Sequence, residues 1–387
     1  MRAMLERPAC CTPLAHRTQP ALTRILLVAP APPMIGGQAV QAQRLLENLR
    51  REPHLHVELQ SIAPRFFPRL QRIRYVRTVV TTAKYVFDLF RRIPRADIVH
   101  VFAASYFAFV LTAVPAILIA KLFGKKVIIN YRSGEAEQFF GSWGRHWLRI
   151  VRLADEVVSP SGYLVDVFKR FGIRARSIFN VIDSGKFTFR DRETLRPVFL
   201  SSRILEPLYN IDCILRAYRI LLERFPDARL IVCNDGPERE RLERAARTLE
   251  LRNVEFIGPI PHSKIGDVYD VVDVYLNSPN FDCMPGSLIE CFAAGVPVVS
   301  TRAGGIPYIV TDGETGLLVN TDDHVALAAR AIYLLENPSA ARAIIEKARR
   351  ECARYTWAAI RPQWLDLYER LAARPGRAHR ATIGDRT

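Results

Sequence analysis

The sequence predicts an α/β protein made of two domains, each built on a parallel β-sheet with helices on both faces. Short continuous apolar runs alternate with longer helical stretches, which is typical of strands buried between two layers of helices. The 387 residues suffice for two such domains. The alternation is interrupted by a polar connector at 191–197 and then resumes. We therefore expect two halves of similar size that face each other across a cleft.

The predicted strands are the continuous apolar runs of strand length. Those of the first half are 24–29, 98–101, 127–129 and 156–158, and those of the second half are 198–201, 230–232, 254–257, 272–276 and 296–300. Ligands of open α/β sheets bind at the carboxyl ends of the strands, so we expect the functional site in the cleft. We place the domains at 22–188 and 189–352, with flexible tails at 1–21 and 373–387.

The composition is that of a basic globular protein: 55 Lys and Arg residues against 39 Asp and Glu give a formal charge of +16. This charge favours anionic partners such as phosphates, nucleic acid or an acidic membrane. A general enrichment of arginine in the proteins of the source organism would explain the positive charge equally well. None of the seven cysteines forms a Cys-x-x-Cys pair, which argues against a zinc ribbon or a thioredoxin-like site. Their odd number, and the lack of an apolar signal-peptide core in the first twenty residues, predict a cytoplasmic protein.

Two segments have features of membrane contact. Residues 98–123 are mostly apolar and approach the length of about 20 residues that a membrane span needs. Pro115 and the stop at Gly124 favour instead a strand followed by a buried helix at 106–123. Residues 65–95 hold nine Lys or Arg and one acid, with apolar residues at roughly helical spacing. This pattern fits a helix lying on the inner face of a membrane, and it also fits a solvated helix with a core-facing stripe.

Two glycines, Gly36 and Gly37, stand between the first predicted strand and the helix after it. No GxxxxGK[ST] loop is present and no GxGxxG follows the first strand, which argues against a P-loop and a dinucleotide-binding fingerprint. The glycine pair would let a phosphate approach backbone N–H groups and the positive end of the helix dipole. Taken alone, such a pair is usually just a turn.

Two carboxylates, Asp282 and Glu290, lie eight residues apart and flank a Pro-Gly break at 285–286. Ser287 can cap a helix there, which places Asp282 in the preceding loop and Glu290 about one turn inside the helix. Each carboxylate oxygen accepts two hydrogen bonds, which suits vicinal hydroxyls such as those of a sugar or a ribose. We therefore expect both carboxylates to face one ligand across the helix N-terminus, where the first amides would bind an anion.

The order of motifs along the chain resembles the glycosyltransferases of family four, which have the GT-B fold. The carboxylate pair is followed by Gly-Gly-Ile-Pro at 304–307 and by Asp-Gly-Glu-Thr-Gly-Leu-Leu-Val at 312–319, each of which alone would be a turn. Asn-Asp-Gly-Pro-Glu at 234–238 resembles the family's Gly-Asp-Gly-Pro-Glu, and Asn-Val-Ile-Asp at 180–183 resembles its Asn-Gly-Val-Asp. The resemblance covers nearly the whole chain.

The resemblance implies two Rossmann-like domains facing a cleft, with a C-terminal helix at 353–372 that crosses back to the first domain. It implies a retaining enzyme that moves a hexose from a nucleotide diphosphate sugar to an acceptor hydroxyl, without a metal or other cofactor. The implied route is a front-face displacement in which the leaving phosphate takes the acceptor proton. The implied setting is polysaccharide or glycolipid synthesis for the cell envelope, with the acceptor unidentified.

The same resemblance implies roles for individual residues. Glu290 would bind the ribose of the nucleotide, Asp282 the hydroxyls of the donor sugar, and Arg203 the diphosphate. The donor-binding residues would further include Gly36, Gly37, Tyr209, Asn210, Met284, Pro285, Gly286, Ser287 and Leu288.

One position departs from the family. Tyr209-Asn210 stands where the family has Lys-Gly, and that lysine neutralises charge on the leaving group. Electrostatic stabilisation of a departing diphosphate is usually the main contribution of the protein, so either another cation substitutes or turnover is impaired. Arg132 is our candidate for this cation, as a fourth catalytic residue. The alternative for Arg132 is a surface salt bridge with Glu135 or Glu137.

Three other functions stay open at this point. A nucleotide-sugar epimerase would use a donor site of this kind and need no acceptor. A relative that binds a sugar nucleotide but has lost turnover would explain Tyr209. A nucleic-acid-binding protein would explain the charge but not the ordered motifs, so we expect no nucleic acid as a partner. The expected partners are the donor, a glycan or lipid-linked acceptor, and a membrane surface contacted through 65–95.

Overall fold

The protein forms two six-stranded sheets, and every strand pair in both sheets is parallel. The α/β class predicted from the sequence is therefore confirmed, whereas the exact domain boundaries stay a prediction. The predicted tail at 1–21 and all but the first residue of the tail at 373–387 lie outside the described residues. The computed structural model describes residues 22–31, 36–64, 74–142, 144–261 and 264–373.

The first sheet has the strand order β2-β1-β3-β4-β5-β6. Its strands are β1 (Thr23–Ala29), β2 (Leu55–Ser61), β3 (Ile98–Ala103), β4 (Lys126–Tyr131), β5 (Glu156–Ser159) and β6 (Arg176–Ser177). The helices of this half are α1 (Gly37–Leu49), α2 (Arg74–Arg92), α3 (Tyr106–Ala108), α4 (Val114–Leu122), α5 (Ala136–Gly141), α6 (Leu148–Val151) and α7 (Gly162–Arg170). Every residue of β3 is buried, as expected of a strand covered on both faces.

The second sheet has the strand order β12-β11-β10-β7-β8-β9. Its strands are β7 (Val198–Ser201), β8 (Arg229–Cys233), β9 (Val254–Gly258), β10 (Val274–Asn277), β11 (Val298–Thr301) and β12 (Leu317–Val319). The helices that follow the connector are α8 (Ile211–Arg224), α9 (Arg239–Thr248), α10 (Ile265–Val271), α11 (Gly286–Ala294), α12 (His324–Glu336), α13 (Pro338–Cys352) and α14 (Trp357–Ala373).

The strands that the sequence did not predict, β2, β6 and β12, all lie at sheet edges. An edge strand has a neighbour on one side only and is less completely covered. Polar and apolar residues therefore mix in β2, where Val57 is buried between two exposed neighbours. β6 has two residues and neither is apolar, and the three apolar residues of β12 were assigned to the motif at 312–319.

The helix predicted at 106–123 forms as α3, a π-helical turn at Phe109–Ala113 and α4, and it ends before Gly124, whose φ is +65°. A π-turn fits next to Pro115, which has no N–H to donate to the helix ladder. The prediction that this helix is buried is wrong for one face, where Phe107 and Leu122 are 73% and 72% exposed. Among the described helices, none is long and apolar enough to cross a membrane.

The connector between the halves is fixed to the second half by Asp273, which is 1% exposed. Arg190, Arg192 and Arg196 all form ion pairs with this carboxylate. Arg192 is itself buried, and its guanidinium also donates to backbone carbonyls around it. Three arginines, two within the connector and Arg190 directly before it, thus converge on one buried acid.

The C-terminal helix α14 returns to the first sheet, as the resemblance implied. The hydroxyl of Tyr368 lies 2.8 Å from Nδ1 of His100 in β3, and the rings of Trp364 and His100 are 4.9 Å apart. Burial lowers the pKa of His100 to about 3, so this histidine is neutral in the packed core. The two places where the chain crosses between the halves lie side by side, because the amide of Ile182 donates to the carbonyl of Tyr355 at 2.9 Å.

Candidate active site

The acidic motif lies beyond the carboxyl end of β10. Asp282 is in the loop after this strand, and α11 begins at Gly286 and carries Glu290 one turn later. The prediction that Ser287 caps this helix is wrong, because Pro285 is the N-cap residue and no side chain caps the helix. Ser287 lies one position inside α11 instead. The first amides of α11 therefore keep their capacity to bind an anion.

Asp282 and Arg203 form a close ion pair. Nη2 of Arg203 lies 2.5 Å from Oδ2 of Asp282, and both side chains are largely buried. The amide of Met284 donates to Oδ1 of Asp282 at 3.2 Å, and the guanidinium reaches the Ser287 hydroxyl at 3.4 Å. Burial raises the pKa of Asp282 above its ordinary value, against the opposing effect of Arg203. The pair joins the loop after β7 to the N-terminus of α11.

The ring of Tyr209 lies against the planar face of the Arg203 guanidinium. The guanidinium carbon of Arg203 is 4.2 Å from the centre of the Tyr209 ring, within the range of a cation–π contact. Burial would lower the pKa of Arg203, but Asp282 and Tyr209 raise it above its ordinary value, so the side chain stays charged. The residue in the place of the family's lysine thus supports a neighbouring cation.

Asn210 has the left-handed backbone conformation, with φ +44° and ψ +50°, at the start of α8. Glycine and asparagine are the residues that adopt this region most readily, which explains why Asn can stand where the family has Gly. Its amide donates to Asp322 at 3.1 Å, and its carbonyl accepts from the Ser278 hydroxyl at 2.7 Å. Asn210 therefore orders the loop that presents Tyr209.

Glu290 faces the first half of the chain. Its Oε1 lies 3.9 Å from Nη2 of Arg44, and its Oε2 accepts from the Tyr269 hydroxyl at 3.2 Å. Arg44 belongs to α1 and also donates to the carbonyl of Val181 at 3.1 Å. Burial raises the pKa of Glu290, and Arg44 opposes that shift. Sequence reasoning missed Arg44, and the feature that could have found it is a basic residue two turns into the helix after Gly37.

Arg132 follows β4 and lies between the two halves. Its guanidinium donates to the side-chain oxygens of Asn130 and Asn180 and lies 4.8 Å from the centre of the Phe102 ring. Its Nε is buried without a partner in the described part of the chain. Burial lowers the pKa of Arg132 to about 10, so it is still charged at neutral pH.

The alternative of a salt bridge for Arg132 is wrong. Among the described residues, no carboxylate lies within ion-pair distance of it. Glu137 pairs with Arg170 instead. Arg203 and Arg44 face the carboxylates Asp282 and Glu290, whereas the described partners of Arg132 are the neutral amides of Asn130 and Asn180 and the ring of Phe102.

Gly36 and Gly37 are at the N-terminus of α1, as predicted. Gly36 is the N-cap residue with φ +149°, a value that side-chain-bearing residues rarely adopt. Among the residues that the structure describes, no atom would lie within 4 Å of a Cβ added to either glycine.

The Gly-Gly pair at 304–305 packs against the backbone of the loop that carries Asp282. The amide of Gly305 donates to the carbonyl of Asp282 at 2.7 Å. A Cβ on Gly304 would come within 2.4 Å of that carbonyl, and one on Gly305 within 1.9 Å of the carbonyl of Cys283. These contacts require glycine, so this motif shapes the position of Asp282.

The family model of the glycosyl transferases group 1 matches residues 186–351. A D-inositol 3-phosphate glycosyltransferase of Corynebacterium urealyticum is 33% identical over 191 residues, which are 46% of this chain and 45% of the relative. A 2-deoxystreptamine N-acetyl-D-glucosaminyltransferase of Niallia circulans is 33% identical over 38% of this chain and 39% of the relative. The matched stretch thus spans less than half of either relative.

Two solved structures share the fold over most of the chain. HepE of Anabaena, in complex with UDP and glucose, has a TM-score of 0.70 at 17% identity and covers 89% of this chain and 99% of its own. A sucrose-phosphate synthase from Thermosynechococcus elongatus has a TM-score of 0.72 at 20% identity and covers 90% of this chain and 99% of its own. The likeness shows that both parallel sheets and their relative arrangement are those of the GT-B fold.

Proposed function

Because residues 186–351 match the group 1 glycosyl transferases and the chain has the GT-B fold, we propose that it is a retaining hexosyltransferase. It moves a sugar from a nucleotide diphosphate sugar to an acceptor hydroxyl. The observation that carries this proposal is the arrangement around the N-terminus of α11. There a carboxylate from the preceding loop, a carboxylate from the helix and an arginine from another loop converge with uncapped amides.

Glu290 is suited to the ribose of the donor. Its Oε2 accepts one hydrogen bond from Tyr269, and its Oε1 lies farther from Arg44 than a hydrogen bond. Because each carboxylate oxygen can accept two hydrogen bonds, Glu290 keeps capacity for two vicinal hydroxyls. Asp282, beside the helix end, is suited in the same way to hydroxyls of the donor sugar.

The diphosphate would lie between the first amides of α11 and Arg203. Helix N-termini bind phosphate through their N–H groups and the helix dipole, and an arginine pairs with phosphate oxygens through its planar fork. The UDP and glucose in the related fold of HepE support a nucleotide diphosphate sugar as the donor. Gly36 and Gly37, at the N-terminus of α1, would give the first half its own place for part of this ligand.

Charge on the leaving diphosphate must be balanced while the sugar bond breaks. We infer that Arg203, supported by Tyr209, supplies the charge that the family takes from its lysine, with Arg132 as the second cation. The leaving phosphate oxygen then accepts the proton of the acceptor hydroxyl on the same face of the sugar. No metal or other cofactor takes part in this route.

We further propose that the protein works in the cytoplasm at the inner face of the membrane, on an acceptor for cell-envelope polysaccharide or glycolipid. The five cysteines of the described residues are free and buried, which fits a reducing compartment. The basic stretch 65–95 supports a peripheral contact with acidic lipids. Its residues 65–73 lie outside the described part, and the remainder forms the whole of α2 and the 3-10 turn Ile93–Arg95.

A donor screen followed by turnover assays tests the function. Thermal shift with UDP, GDP, ADP and dTDP sugars selects the donor, and release of the nucleoside diphosphate then reports turnover. Glu290→Gln should lower kcat/KM by roughly a hundredfold or more, because two hydrogen bonds to a charged group are weakened. Glu223→Gln, at an exposed carboxylate of α8, is the matched control.

Three results would contradict the proposal. Unchanged turnover in the Glu290→Gln variant would mean that Glu290 does not belong to the donor-binding site. Conversion of the donor to an epimer without any acceptor shows a different reaction on the same scaffold. Donor binding without release of nucleotide, across a broad panel of acceptors, identifies a binding protein that has lost turnover.

A further inference from the structure

The helical segment 106–122, which consists of α3, the π-helical turn and α4, is apolar on two faces. One face packs into the core of the first sheet. The other carries Phe107, Leu111, Leu118 and Leu122, which are 73%, 37%, 45% and 72% exposed. These four recur at intervals of one or two helical turns and form a single stripe along the segment. A helix that is apolar all round is normally buried all round, so the outer stripe implies a partner.

Helix α2 presents a second apolar stripe. Val79, Phe87 and Phe90 are 69%, 60% and 44% exposed and recur at helical spacing. The ring of Phe90 meets that of Phe123, itself 40% exposed, edge to face with ring centres 6.1 Å apart. The two stripes are therefore joined at this end.

These two stripes form one surface, because the helices that carry them are held together. The hydroxyl of Tyr85 in α2 donates to the carbonyl of Thr112 at 2.7 Å. Every phenylalanine that is exposed within the described ranges belongs to this surface. Clustered apolar side chains of this size mark an interaction site rather than ordinary protein surface. We name it the apolar surface, consisting of Val79, Phe87, Phe90, Phe107, Leu111, Leu118, Leu122 and Phe123.

Positive charge borders the apolar surface. The segment 78–125 contains six Lys or Arg and two Asp. Lys84 pairs with Asp88 at 2.8 Å and Lys121 with Asp155 at 2.5 Å, and the other four cations form no ion pair within the described residues. Arg91 is exposed, and its guanidinium lies 6.0 Å from the centre of the Phe87 ring. Cations around exposed aromatic and leucine side chains match an anionic bilayer, whose headgroups attract the charge while its acyl boundary accepts the apolar groups.

We propose that the apolar surface docks on an anionic lipid bilayer. In this arrangement α2 and the segment 106–122 lie in the plane of the membrane, with their exposed apolar side chains inserted below the headgroups. This extends membrane contact beyond the basic stretch 65–95 to a second segment of the chain. It also accounts for the span-like composition of residues 98–123 without a crossing of the bilayer.

Flotation of the full chain with lipid vesicles tests the proposal. The vesicles contain phosphatidylcholine alone or phosphatidylcholine mixed with phosphatidylglycerol. We expect the wild type to float mainly with the anionic vesicles. The double variant Phe107→Ser/Leu122→Ser should bind roughly tenfold less or weaker still, because it removes the two most exposed side chains of its stripe.

Matched controls keep the test specific. Val271→Ser/Val325→Ser removes two apolar side chains of similar exposure, 53% and 58%, from the second half and should float like the wild type. A second double variant, Phe87→Ser/Leu118→Ser, repeats the test at independent positions. Thermal melting should be unchanged in every variant, since the removed side chains are exposed.

Three outcomes would overturn the proposal. The first is equal flotation of the wild type and both apolar-surface variants. The second is no flotation of the wild type with anionic vesicles. The third is a wild-type dimer in light scattering that becomes a monomer in Phe107→Ser/Leu122→Ser, since a second copy of the chain then covers the surface. Flotation requires neither donor nor acceptor, so the result is independent of turnover.

Discussion

The guanidinium of Arg203 lies between the ring of Tyr209, 4.2 Å from its centre, and the carboxylate of Asp282, 2.5 Å away. The ring occupies the position where the resembling family has a lysine. One cation is therefore missing from this part of the cleft, and the cation that is present is held in one orientation. Fixing a charged group before the reaction lowers the cost of aligning it during the reaction.

Tyr209→Ala should lower kcat more than it raises the KM for the donor, because Arg203 loses the face that orients it. A cation–π contact contributes about 0.5–2 kcal/mol, which corresponds to a fall of roughly 2- to 30-fold. Tyr209→Phe keeps the aromatic face and should stay within about twofold of the wild type. Steady-state kinetics with the donor varied separate the two constants. A Tyr209→Phe variant as slow as Tyr209→Ala would assign the effect to the hydroxyl instead.

Arg132→Gln should lower kcat by roughly 10²–10³-fold if this buried cation acts on the leaving group, which is the size expected for a lost electrostatic contact. Arg132→Lys should recover part of the rate, because it keeps the charge but loses the planar fork held by Asn130 and Asn180. Single-turnover rates with saturating donor measure the effect. Arg170→Gln, which removes an exposed ion pair with Glu137, is the control, and a kcat of Arg132→Gln equal to that control would exclude the role.

Arg44→Gln should move the acid limit of donor binding to higher pH. Burial raises the pKa of Glu290 and Arg44 opposes that rise, so the variant has the higher pKa. Binding of ribose hydroxyls needs the ionised carboxylate, so affinity is full above this pKa and is lost as the pH falls through it. Calorimetric Kd values between about pH 5 and pH 8 locate the midpoint.

The exposed Arg51, just beyond the end of the same helix, provides the control for that measurement. Arg51→Gln should leave the midpoint of donor binding where it is in the wild type. An Arg44→Gln midpoint at or below the wild-type value would mean that Arg44 does not stabilise the charge on Glu290.

Asp273→Ala should lower the free energy of unfolding by about 3–5 kcal/mol, because it leaves the buried guanidinium of Arg192 without its acid. Urea titration measures this loss. Asp227→Ala changes an exposed aspartate of the same half and should stay within about 0.5 kcal/mol of the wild type. A loss below about 1 kcal/mol for Asp273→Ala would mean that the backbone carbonyls around Arg192 satisfy it on their own.

The central strands were predictable because a strand covered on both faces is apolar at nearly every position, as β3 is with His100 as its one polar residue. At the sheet edges this relation fails, and β2 has the mixed polarity of a surface segment. The outer face of 106–122 was predicted wrongly for a related reason. Apolar composition indicates that a helix face is covered, but it does not show whether the same chain, another protein or a membrane covers it.

Within the site, the sequence identified Asp282 and Glu290 because both belong to one short motif. Arg44 belongs to the other half of the chain, and only folding brings it to Glu290. Ser287 was assigned as a cap because serine favours that position, but Pro285 takes it with φ −68° and ψ +111°. The roles of Tyr209 and Gly305 depend on atoms within a few ångströms of them, which no pattern of residue types records.

The adjacent backbone crossings at Ile182 and Tyr355 affect how the two halves of the chain are connected and can move. Because the hydrogen bond between these residues joins two separate passages of the backbone, the two halves are tethered twice at one point. A protease that cuts either passage alone would leave the halves connected through the other. Opening of the cleft therefore requires the backbone near Ile182 and the backbone near Tyr355 to rotate together. The connector arginines anchored to Asp273 confine that turning to the residues before Arg190.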